Sequence, residues 1–300
     1  MYLGFDIGGT SVKYGIVDDD FNIIEKSSFP TDKDSDIKLL DMVCDVVKEL
    51  SAKYDVPYVG IGAPGYVDPQ KGIVAGSSNT PFKNTRVVEY VEKKTGIKTY
   101  IGNDANCAAY GEYLYSKTNL DNSVMITIGT GVGGGIIVNG KLFTGNSGAA
   151  GEIGHIIIKH DGHKCPCGKR GCYEQYASAT ALIKRTRDEI KKGYGKMALE
   201  YKDDLDKVDG KTVFDCIKKG YEDAINVFER YAKYLVDGIE SICALLQPDA
   251  IILAGGITND KEILMEYINK YYKGECPVNI AQLAGDAGLI GAAFIGKNEQ

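Results

Sequence analysis

The sequence predicts an α/β protein built from two domains. Its first 115 residues read as three strands, a helix, a strand, a helix, a strand and a helix, an order typical of helices layered on a sheet. Near residue 124 the pattern starts again, because the segment IGTG at 128–131 repeats IGGT at 7–10. A chain of 300 residues is also long enough for about two domains.

The elements of the first half follow from the spacing of apolar residues. Alternation over 2–17 predicts two strands joined by a glycine turn, and 21–29 reads as a third strand. Apolar residues three and four apart predict a helix over 37–54. The remaining predictions are a strand over 58–63, a helix over 85–94 closed by Gly96, a strand over 98–102 and a helix over 105–115.

The second half repeats the hairpin and then becomes mainly helical. Strands on either side of a glycine turn are predicted within 124–143, where Asn139-Gly140 indicates a type I′ hairpin. Further predictions are helices over 179–192, 213–219, 221–246 and 262–271, a strand over 250–253, and a final helix over 286–297 that returns to the first half. We therefore expect a small α/β domain over 1–115, with 287–300 packing back on it, and a larger α/β domain over 116–286 that carries a cysteine-rich loop.

Composition and charge exclude several classes of protein. The net charge of −6 is unlike the basic balance of most nucleic-acid-binding proteins. The uncharged stretch 122–140 is interrupted by glycines, so no membrane span is expected, and the first residues lack the pattern of a secretory signal. We therefore expect a cytoplasmic protein with reduced thiols and no nucleic-acid or membrane partner.

The two glycine turns predict phosphate binding. Residues 129–134 fit the dinucleotide pattern G-x-G-x-x-G, but a hairpin follows them instead of the helix which that pattern requires, and no P-loop motif occurs. Glycine lets backbone N–H groups approach an anion closely, because no Cβ intervenes. Thr10 and Thr130 add hydroxyl groups, Lys13 adds a charge, and a third glycine turn lies at 254–256. The alternative interpretation is that these are tight turns without a ligand.

Asn103-Asp104 separates a predicted strand from a predicted helix. Both residue types cap helices well, which is one interpretation. Asp104 would also stand at the carboxyl end of a strand, where active sites of α/β proteins gather. A carboxylate of ordinary pKa suits phosphoryl transfer, because the transition state is loose and the hydroxyl proton is transferred late. The position of Asp104 in the sequence does not decide between helix capping and catalysis.

A cluster of cysteines predicts a structural zinc site. His155, Cys165, Cys167 and Cys172 form the pattern H-x9-C-x-C-x4-C, and Cys-x-Cys is too close for an easy disulfide. Three thiolates and one imidazole complete a tetrahedral zinc site and leave no position open for substrate.

Two other histidines, His160 and His163, are alternative fourth ligands. A metal on His155 would instead fix the neighbouring acid Glu152, and the last cysteine of the cluster would fix Glu174 in the same way. The predicted ion therefore braces two carboxylates.

These motifs together resemble the ROK family of bacterial sugar kinases, in the family's order and over essentially the whole chain. The resemblance implies the ribonuclease-H-like fold of actin and hexokinase, with ATP and sugar in the cleft between two α/β domains. The motifs that carry it are DIGGTSVK at 6–13, GAPG at 62–65, GNDAN at 102–106, GTGVGGG at 129–135, GEIGH at 151–155, CPCGKRGCYE at 165–174 and AGG at 254–256.

The resemblance also implies roles for single residues. Asp104 matches the catalytic base, Asp6 is implied to lie near Mg²⁺ through water, and His155 is implied to use one ring nitrogen for zinc and the other for sugar. The residues implied to bind sugar are Gly65, Asn79, Asn103, Asp104, Glu152, His155 and Glu174. The residues implied to bind ATP are Asp6, Gly8, Gly9, Thr10, Lys13, Gly129, Thr130, Gly131, Gly133, Gly255 and Gly256.

The implied activity is ATP-dependent phosphorylation of glucose at its 6-hydroxyl, by a homo-oligomer such as a dimer or tetramer. Residues 79–82 read Asn-Thr-Pro-Phe where family glucokinases read Asn-Leu-Pro-Gly-Trp, which leaves strict glucose specificity open. Alternative substrates are N-acetylmannosamine, N-acetylglucosamine, fructose, allose and β-glucosides. More distant alternatives are a sugar-responsive regulator, which the charge and the early first strand argue against, and an actin-like ATPase.

Overall fold

A computed structural model describes residues 1–77, 79–116 and 120–298. The chain divides into two compact units. The first comprises Met1–Val124, Gly135–Gly151 and Ala281–Gln300, and the second comprises Met125–Gly134 and Glu152–Ile280. The domain boundaries expected at 115 and 286 stay a prediction.

The secondary structure follows the predicted α/β pattern. The strands are β1 (Tyr2–Ile7), β2 (Ser11–Val17), β3 (Ile23–Pro30), β4 (Val59–Ala63), β5 (Tyr66–Asp68), β6 (Ile73–Gly76), β7 (Thr85–Arg86), β8 (Thr99–Asn103), β9 (Ser123–Ile128), β10 (Val132–Val138), β11 (Lys141–Leu142), β12 (Ala250–Ala254) and β13 (Val278–Ile280). The α-helices are α1 (Asp36–Lys53), α2 (Val87–Thr95), α3 (Asp104–Ser116), α4 (Glu174–Ala177), α5 (Ala179–Ile190), α6 (Lys196–Tyr201), α7 (Thr212–Lys218), α8 (Glu222–Leu246), α9 (Lys261–Tyr271) and α10 (Ala287–Asn298).

The repeat read from the sequence is confirmed in the strand order of the two five-stranded sheets. The first sheet has the order β3-β2-β1-β4-β8, with β1, β2 and β3 antiparallel and β1, β4 and β8 parallel. The second has the equivalent order β11-β10-β9-β12-β13, with an antiparallel β10–β11 pair and a parallel β12–β13 pair. The type I′ turn is also confirmed, because Asn139 and Gly140 have φ angles of 51° and 73°.

The long helix α1 shows why the sequence folds as predicted in the first unit. Ser35 caps it by accepting a hydrogen bond from the Lys38 N–H. One face, which includes Leu39, Val43 and Val47, is fully buried in the core, as the three- and four-residue spacing requires. The next helix, α2, ends at Gly96, which has a left-handed φ of 74°.

A small sheet of β5, β6 and β7 was not expected from the sequence. Its strands have two to four residues, too few to show a periodic pattern. The helix predicted from residue 85 is therefore wrong at its start: Thr85 pairs with Val74 in this sheet and donates a hydrogen bond to Asp36, and α2 begins at Val87.

The last helix contacts elements from the first half of the sequence. Helix α10 packs on α3, β1 and β4. Gly291 lets the helices α3 and α10 approach closely: a Cβ at this position would lie only 1.6 Å from the Cys107 carbonyl oxygen. This contact fixes the second turn of α10 against α3.

In the second unit, the long helix α8 supports the residues that precede α4. Tyr173 is fully buried, and its hydroxyl donates a hydrogen bond of 2.8 Å to the Leu235 carbonyl. Gly238 leaves room for the Tyr173 ring, since a Cβ there would lie 2.2 Å from it. The next residue, Glu174, is held in place by this packing.

Within the part of the chain that the structure describes, no helix combines the length and hydropathy needed to span a membrane.

Candidate functional site

Asn103 and Asp104 lie where β8 ends and α3 begins, as the sequence predicts. The Asn103 Oδ1 atom accepts hydrogen bonds from the N–H groups of Ala105 and Asn106, at 2.9 and 3.2 Å. Asn103 therefore caps α3. Asp104 is the first residue of the helix and accepts a hydrogen bond from the Ala105 N–H at 2.9 Å. Both side chains are half-buried. The capping role that the sequence offered for Asp104 is thus filled mainly by its neighbour.

Gly65 is tied to the same place. The Asn103 Nδ2 atom donates a hydrogen bond of 3.1 Å to the Gly65 carbonyl. Gly65 has a φ of 97°, and a Cβ on it would lie 2.1 Å from the Gly76 carbonyl oxygen. Glycine is therefore required at this position.

Replacing Gly65 with alanine is expected to lower the free energy of unfolding by about 2–4 kcal/mol, because a left-handed backbone and a clash with main chain combine. Chemical denaturation of Gly65→Ala tests this, with Gly210→Ala as the control. A Cβ on Gly210 meets nothing within 4 Å. Equal midpoints for the two variants would contradict the prediction.

A cavity of about 350 Å³ opens beside Asn103 in the first unit. Asn106 lines it and is almost fully buried, and its Oδ1 atom has no hydrogen-bond partner among the described residues. Gln70 and Thr144 add polar groups to the lining, and the volume lies in the range of small-molecule sites. The sequence motif GNDAN contains Asn106, but its pattern did not single this residue out.

The first glycine turn joins β1 to β2. The Gly8 N–H bonds the Ser11 carbonyl at 3.0 Å, and the Thr31 hydroxyl donates to the Gly8 carbonyl at 2.6 Å. Thr10 is exposed at the tip of the turn. Asn79 lies against Gly9, where a Cβ would come within 3.0 Å of the Asn79 side chain. Thr31 and Asn79 thus contact this turn from two sides. The turn itself contains three of the predicted phosphate ligands, Gly8, Gly9 and Thr10.

Lys13 and Asp6 form a cross-strand pair behind that turn. The Lys13 ammonium donates a hydrogen bond of 2.7 Å to the Gly285 carbonyl. Burial raises the pKa of the Asp6 carboxyl above its ordinary value, and the positive charge of Lys13 opposes that rise. Gly285 carries no side chain that could identify it, so the sequence did not indicate its role.

The second glycine turn joins β9 to β10 and is fixed from α5. The Ala179 N–H bonds the Gly129 carbonyl at 2.9 Å, and the Thr180 hydroxyl bonds the Thr130 carbonyl at 2.7 Å. Gly133 lies inside strand β10, outside the turn itself. Glu174 contacts this turn directly, because its carboxylate accepts a hydrogen bond of 3.1 Å from the Val132 N–H.

Gly131 leaves the space that the Glu174 carboxylate occupies. A Cβ on Gly131 would lie 2.3 Å from Glu174 Oε2. Gly131→Ala is therefore expected to push this carboxylate off the Val132 N–H and to reduce kcat/KM for the sugar substrate that the sequence motifs imply by about tenfold or more. Steady-state kinetics test the prediction, with Gly210→Ala as the control because Gly210 has no predicted ligand role and a Cβ there meets nothing within 4 Å. An alanine at 131 without kinetic effect would contradict it.

The third glycine turn follows β12. Gly255 has a φ of 94°, and a Cβ on it would lie 2.3 Å from the Ile128 carbonyl oxygen. A Cβ on Gly256 would meet nothing within 4 Å. Gly255 therefore serves the close packing of this turn against β9, while Gly256 leaves open space in front of it.

The four predicted metal ligands lie together in the second unit. His155, Cys165, Cys167 and Cys172 place their ligand atoms within 4.8 Å of one another. The Cys165 sulfur is 3.7 Å from His155 Nδ1, and the Cys167 and Cys172 sulfurs are 3.6 Å apart. A tetrahedral zinc ion with bonds of roughly 2.3 Å separates its ligands by about 3.8 Å. The residues therefore fit zinc.

The two ring nitrogens of His155 face different groups. Nδ1 faces the Cys165 sulfur, while Nε2 lies 3.8 Å from a carboxylate oxygen of Glu152. Gln175, which the sequence did not single out, lies between the cluster and Glu174: its amide is 3.7 Å from the Cys165 sulfur and 3.5 Å from Glu174 Oε1. Glu152 and Glu174, the two carboxylates that the ion was predicted to hold in place, therefore lie beside the cluster of metal ligands.

The two alternative histidines lie elsewhere. His160 is exposed beside Asp161, at 3.3 Å, and the His163 ring stacks on Tyr176. The backbone N–H of Lys169 lowers the pKa of Cys167 below that of an ordinary thiol, which favours the thiolate that a metal requires.

The predicted sugar-binding and ATP-binding residues are divided between the two units. Within each unit the structure shows contacts among subsets of these residues, such as Asn79 with Gly9 in the first and Glu174 with Gly131 in the second. Their role in binding sugar and ATP stays a prediction. The first unit holds Asp6, Gly8, Gly9, Thr10, Lys13, Gly65, Asn79, Asn103 and Asp104, and the second holds Gly129, Thr130, Gly131, Gly133, Glu152, His155, Glu174, Gly255 and Gly256.

Comparison with known proteins gives full-length matches. Glucokinases from Thermotoga maritima and Streptomyces coelicolor are each 33% identical to this chain, over 98% and 99% of it and 96% and 98% of their own length. The crystal structure of a ROK family glucokinase from Streptomyces griseus in complex with glucose and AMPPNP has 33% sequence identity and a TM-score of 0.81, and the match covers 98% of both chains. A ROK hexokinase structure from Thermus thermophilus has 26% identity and a TM-score of 0.82, and that match covers 100% of this chain and 99% of the hexokinase.

These likenesses confirm the ribonuclease-H-like fold of actin and hexokinase, which the two equivalent sheets already indicated. The family model described as "ROK family" matches residues 2–299. With its motifs, its repeated sheet and its relatives in agreement, this chain belongs to the ROK family.

Proposed function

We propose that this protein is an ATP-dependent sugar kinase that phosphorylates glucose at its 6-hydroxyl. The observation that carries the proposal is the place of Asp104, on the first turn of α3 at the carboxyl end of β8. Asn103 caps the helix, and the Asp104 carboxylate lies in the same first turn, where it also accepts from the Ala105 N–H. The glucokinase relatives support the same activity.

In the proposed reaction the 6-hydroxyl oxygen forms a bond to the γ-phosphorus of ATP, and the bond from that phosphorus to the bridging oxygen of ADP breaks. The hydroxyl proton passes to the Asp104 carboxylate. Because the transition state is loose, the proton leaves late, and a carboxylate of ordinary basicity suffices. The main work of Asp104 is then to orient the hydroxyl in line with the leaving group.

The glycine turns are proposed to hold the phosphates of ATP. Backbone N–H groups of Gly9, Thr10 and Gly131 would donate to phosphate oxygens, and Lys13 would add a positive charge. The Mg²⁺ that accompanies ATP in such enzymes neutralises charge on the phosphates when bound. Asp6 would hold that ion through water, because its carboxylate is half-buried behind the turn and Gly288, which packs against it, has no side chain to fill the space.

Three side chains of the second unit are proposed to select the sugar. Glu152, His155 and Glu174 offer two carboxylates and one imidazole nitrogen, which suit a ring rich in donor hydroxyls. A sugar with one hydroxyl misdirected would leave one of these groups unpaired, and that loss discriminates epimers strongly. We also propose that zinc occupies the cluster of three cysteines and one histidine and acts structurally, since four protein ligands leave no open position.

The test is a coupled assay of ADP release with MgATP and a panel of sugars: glucose, mannose, fructose, allose, N-acetylglucosamine and N-acetylmannosamine. The proposal expects the highest kcat/KM with glucose. A higher kcat/KM for another sugar would make that sugar the preferred substrate. The departure of residues 79–82 from the glucokinase pattern would then be the first candidate for the cause of the changed specificity. In the structure Phe82 is buried in the core of the first unit. No release with any sugar would overturn kinase activity.

A further inference from the structure

Glu112 is a buried carboxylate that the proposed mechanism does not use. It lies on α3, two turns after Asp104, and only 2% of it is exposed. Carboxylates are almost never buried this deeply unless other groups satisfy them. Its burial therefore calls for a specific reason.

The partners of Glu112 are two consecutive backbone N–H groups. One carboxylate oxygen accepts from Gln282, and the other accepts from Leu283 at 3.0 Å. These residues begin the segment 282–288, which leads from the end of β13 into α10. The carboxylate thus fixes the start of this segment to α3, and hydrogen bonds to a charged acceptor are among the stronger ones in proteins.

The segment 282–288 is held in a conformation that it would not adopt freely. Ala284 has a φ of 47°, in the left-handed region that a residue with a side chain rarely occupies. Ala284 begins a short 3-10 turn, Ala284–Asp286, in which the Asp286 N–H donates a hydrogen bond of 3.1 Å to the Leu283 carbonyl. Surrounding contacts must maintain such a backbone, and the Glu112 bonds precede it directly.

The same segment contacts both charged residues behind the first glycine turn. The Gly285 carbonyl accepts the 2.7 Å hydrogen bond from Lys13. A Cβ on Gly288 would lie 3.0 Å from the Asp6 carboxylate, so the segment also packs against that group. Lys13 and Asp6 are cross-strand neighbours of opposite charge, and the Lys13 ammonium beside Asp6 is hydrogen-bonded to the Gly285 carbonyl.

We propose that Glu112 is a positioning residue for the nucleotide: through Gln282 and Leu283 it places the Gly285 carbonyl, which in turn holds the Lys13 ammonium ready for phosphate oxygens. This inference rests on the proposed function, because it assigns Lys13 to ATP. The ammonium has three donors, so the bond to Gly285 leaves two for phosphate. Without the tether, Lys13 is expected to pair with Asp6, the carboxylate that would hold Mg²⁺ through water.

The test replaces Glu112 with glutamine in the full chain. The amide keeps the shape but offers one acceptor oxygen, so one of the two N–H groups loses its partner. KM for MgATP is expected to rise about tenfold, with KM for glucose unchanged within about twofold. Tyr113→Phe is the control, because it removes a different hydrogen bond from the same helix, that to Asp121. Its KM for MgATP is expected to stay at the wild-type value.

A double-mutant cycle separates positioning from general loosening. In a Lys13→Ala background, Glu112→Gln is expected to change KM for MgATP by less than about twofold, since the group it positions is gone. Independent, multiplying effects in the cycle would overturn the proposal, as would an unchanged KM in a folded Glu112→Gln protein. Should that variant fail to fold, Glu112→Asp retains the charge with a shorter reach and is expected to give a smaller rise.

Binding of Mg·AMPPNP, measured by calorimetry, distinguishes failure of this inference from failure of the proposed function. If the wild-type chain phosphorylates no sugar but Glu112→Gln still weakens nucleotide binding about tenfold, the sugar kinase assignment fails and the positioning role stands. If the wild-type chain is an active kinase and the variant binds Mg·AMPPNP normally, the positioning role fails alone.

Discussion

Replacing Asp104 with asparagine is expected to lower kcat by about 10²- to 10⁴-fold, the usual range for loss of a general base. The variant keeps an oxygen that can accept the Ala105 N–H, and Asn103 still caps α3, so the fold should be retained. Glucose binding should therefore persist within about threefold, because the amide can still hydrogen-bond a hydroxyl but cannot take its proton.

The control for this prediction is Asp45→Asn. Asp45 is exposed on α1, so the same chemical change there should leave kcat within experimental error of the wild type. Steady-state kinetics and glucose titrations on both variants make the comparison. Turnover at the wild-type rate in Asp104→Asn would remove Asp104 from the proposed role, whatever the other residues do.

Loss of the metal cluster is expected to have the second large effect. Cys172→Ser removes a fully buried ligand, so the bound zinc should fall from one ion per chain to none. Without the ion, His155 and the adjacent carboxylates lose their support, and kcat/KM for glucose should fall by about 10- to 100-fold. The thermal midpoint should also fall, because metal binding to the folded chain contributes directly to stability.

The matched control is Cys276→Ser, which changes a cysteine outside the cluster. Its sulfur contacts the Pro248 carbonyl at 3.3 Å, and a serine hydroxyl can make the same bond. Metal analysis after exhaustive dialysis should find one zinc in this variant and in the wild type. A wild-type chain that holds no zinc yet shows full activity would contradict the structural role proposed for the ion.

The sequence was most informative where it repeats and where its chemistry is local. The two glycine turns and the spacing of apolar residues predicted two similar α/β halves, and the strand order of the two sheets confirms that repeat. The set of three cysteines and one histidine was also predicted correctly as a cluster, because ligand types at such spacing have few other uses. A site can be predicted from sequence when its residues are close together in the chain and have side chains with few alternative roles.

Other features could not be read from the sequence because they depend on contacts between distant segments. Glu112 reads as one more polar residue of a helix until α10 and the residues before it are placed beside it. Gly285 acts through its carbonyl, which every residue possesses. Gln175 is marked only by its place between a sulfur and Glu174, and the strands β5 to β7 are too short for a period.

The most direct measurement is a crystal structure of the wild-type chain with glucose and a non-hydrolysable ATP analogue. We expect the 6-hydroxyl oxygen within about 3.2 Å of an Asp104 carboxylate oxygen and the γ-phosphate on the glycine turns, with Glu152, His155 and Glu174 on the ring hydroxyls. A sugar bound away from Asp104, or one that directs a different hydroxyl at it, would contradict the account.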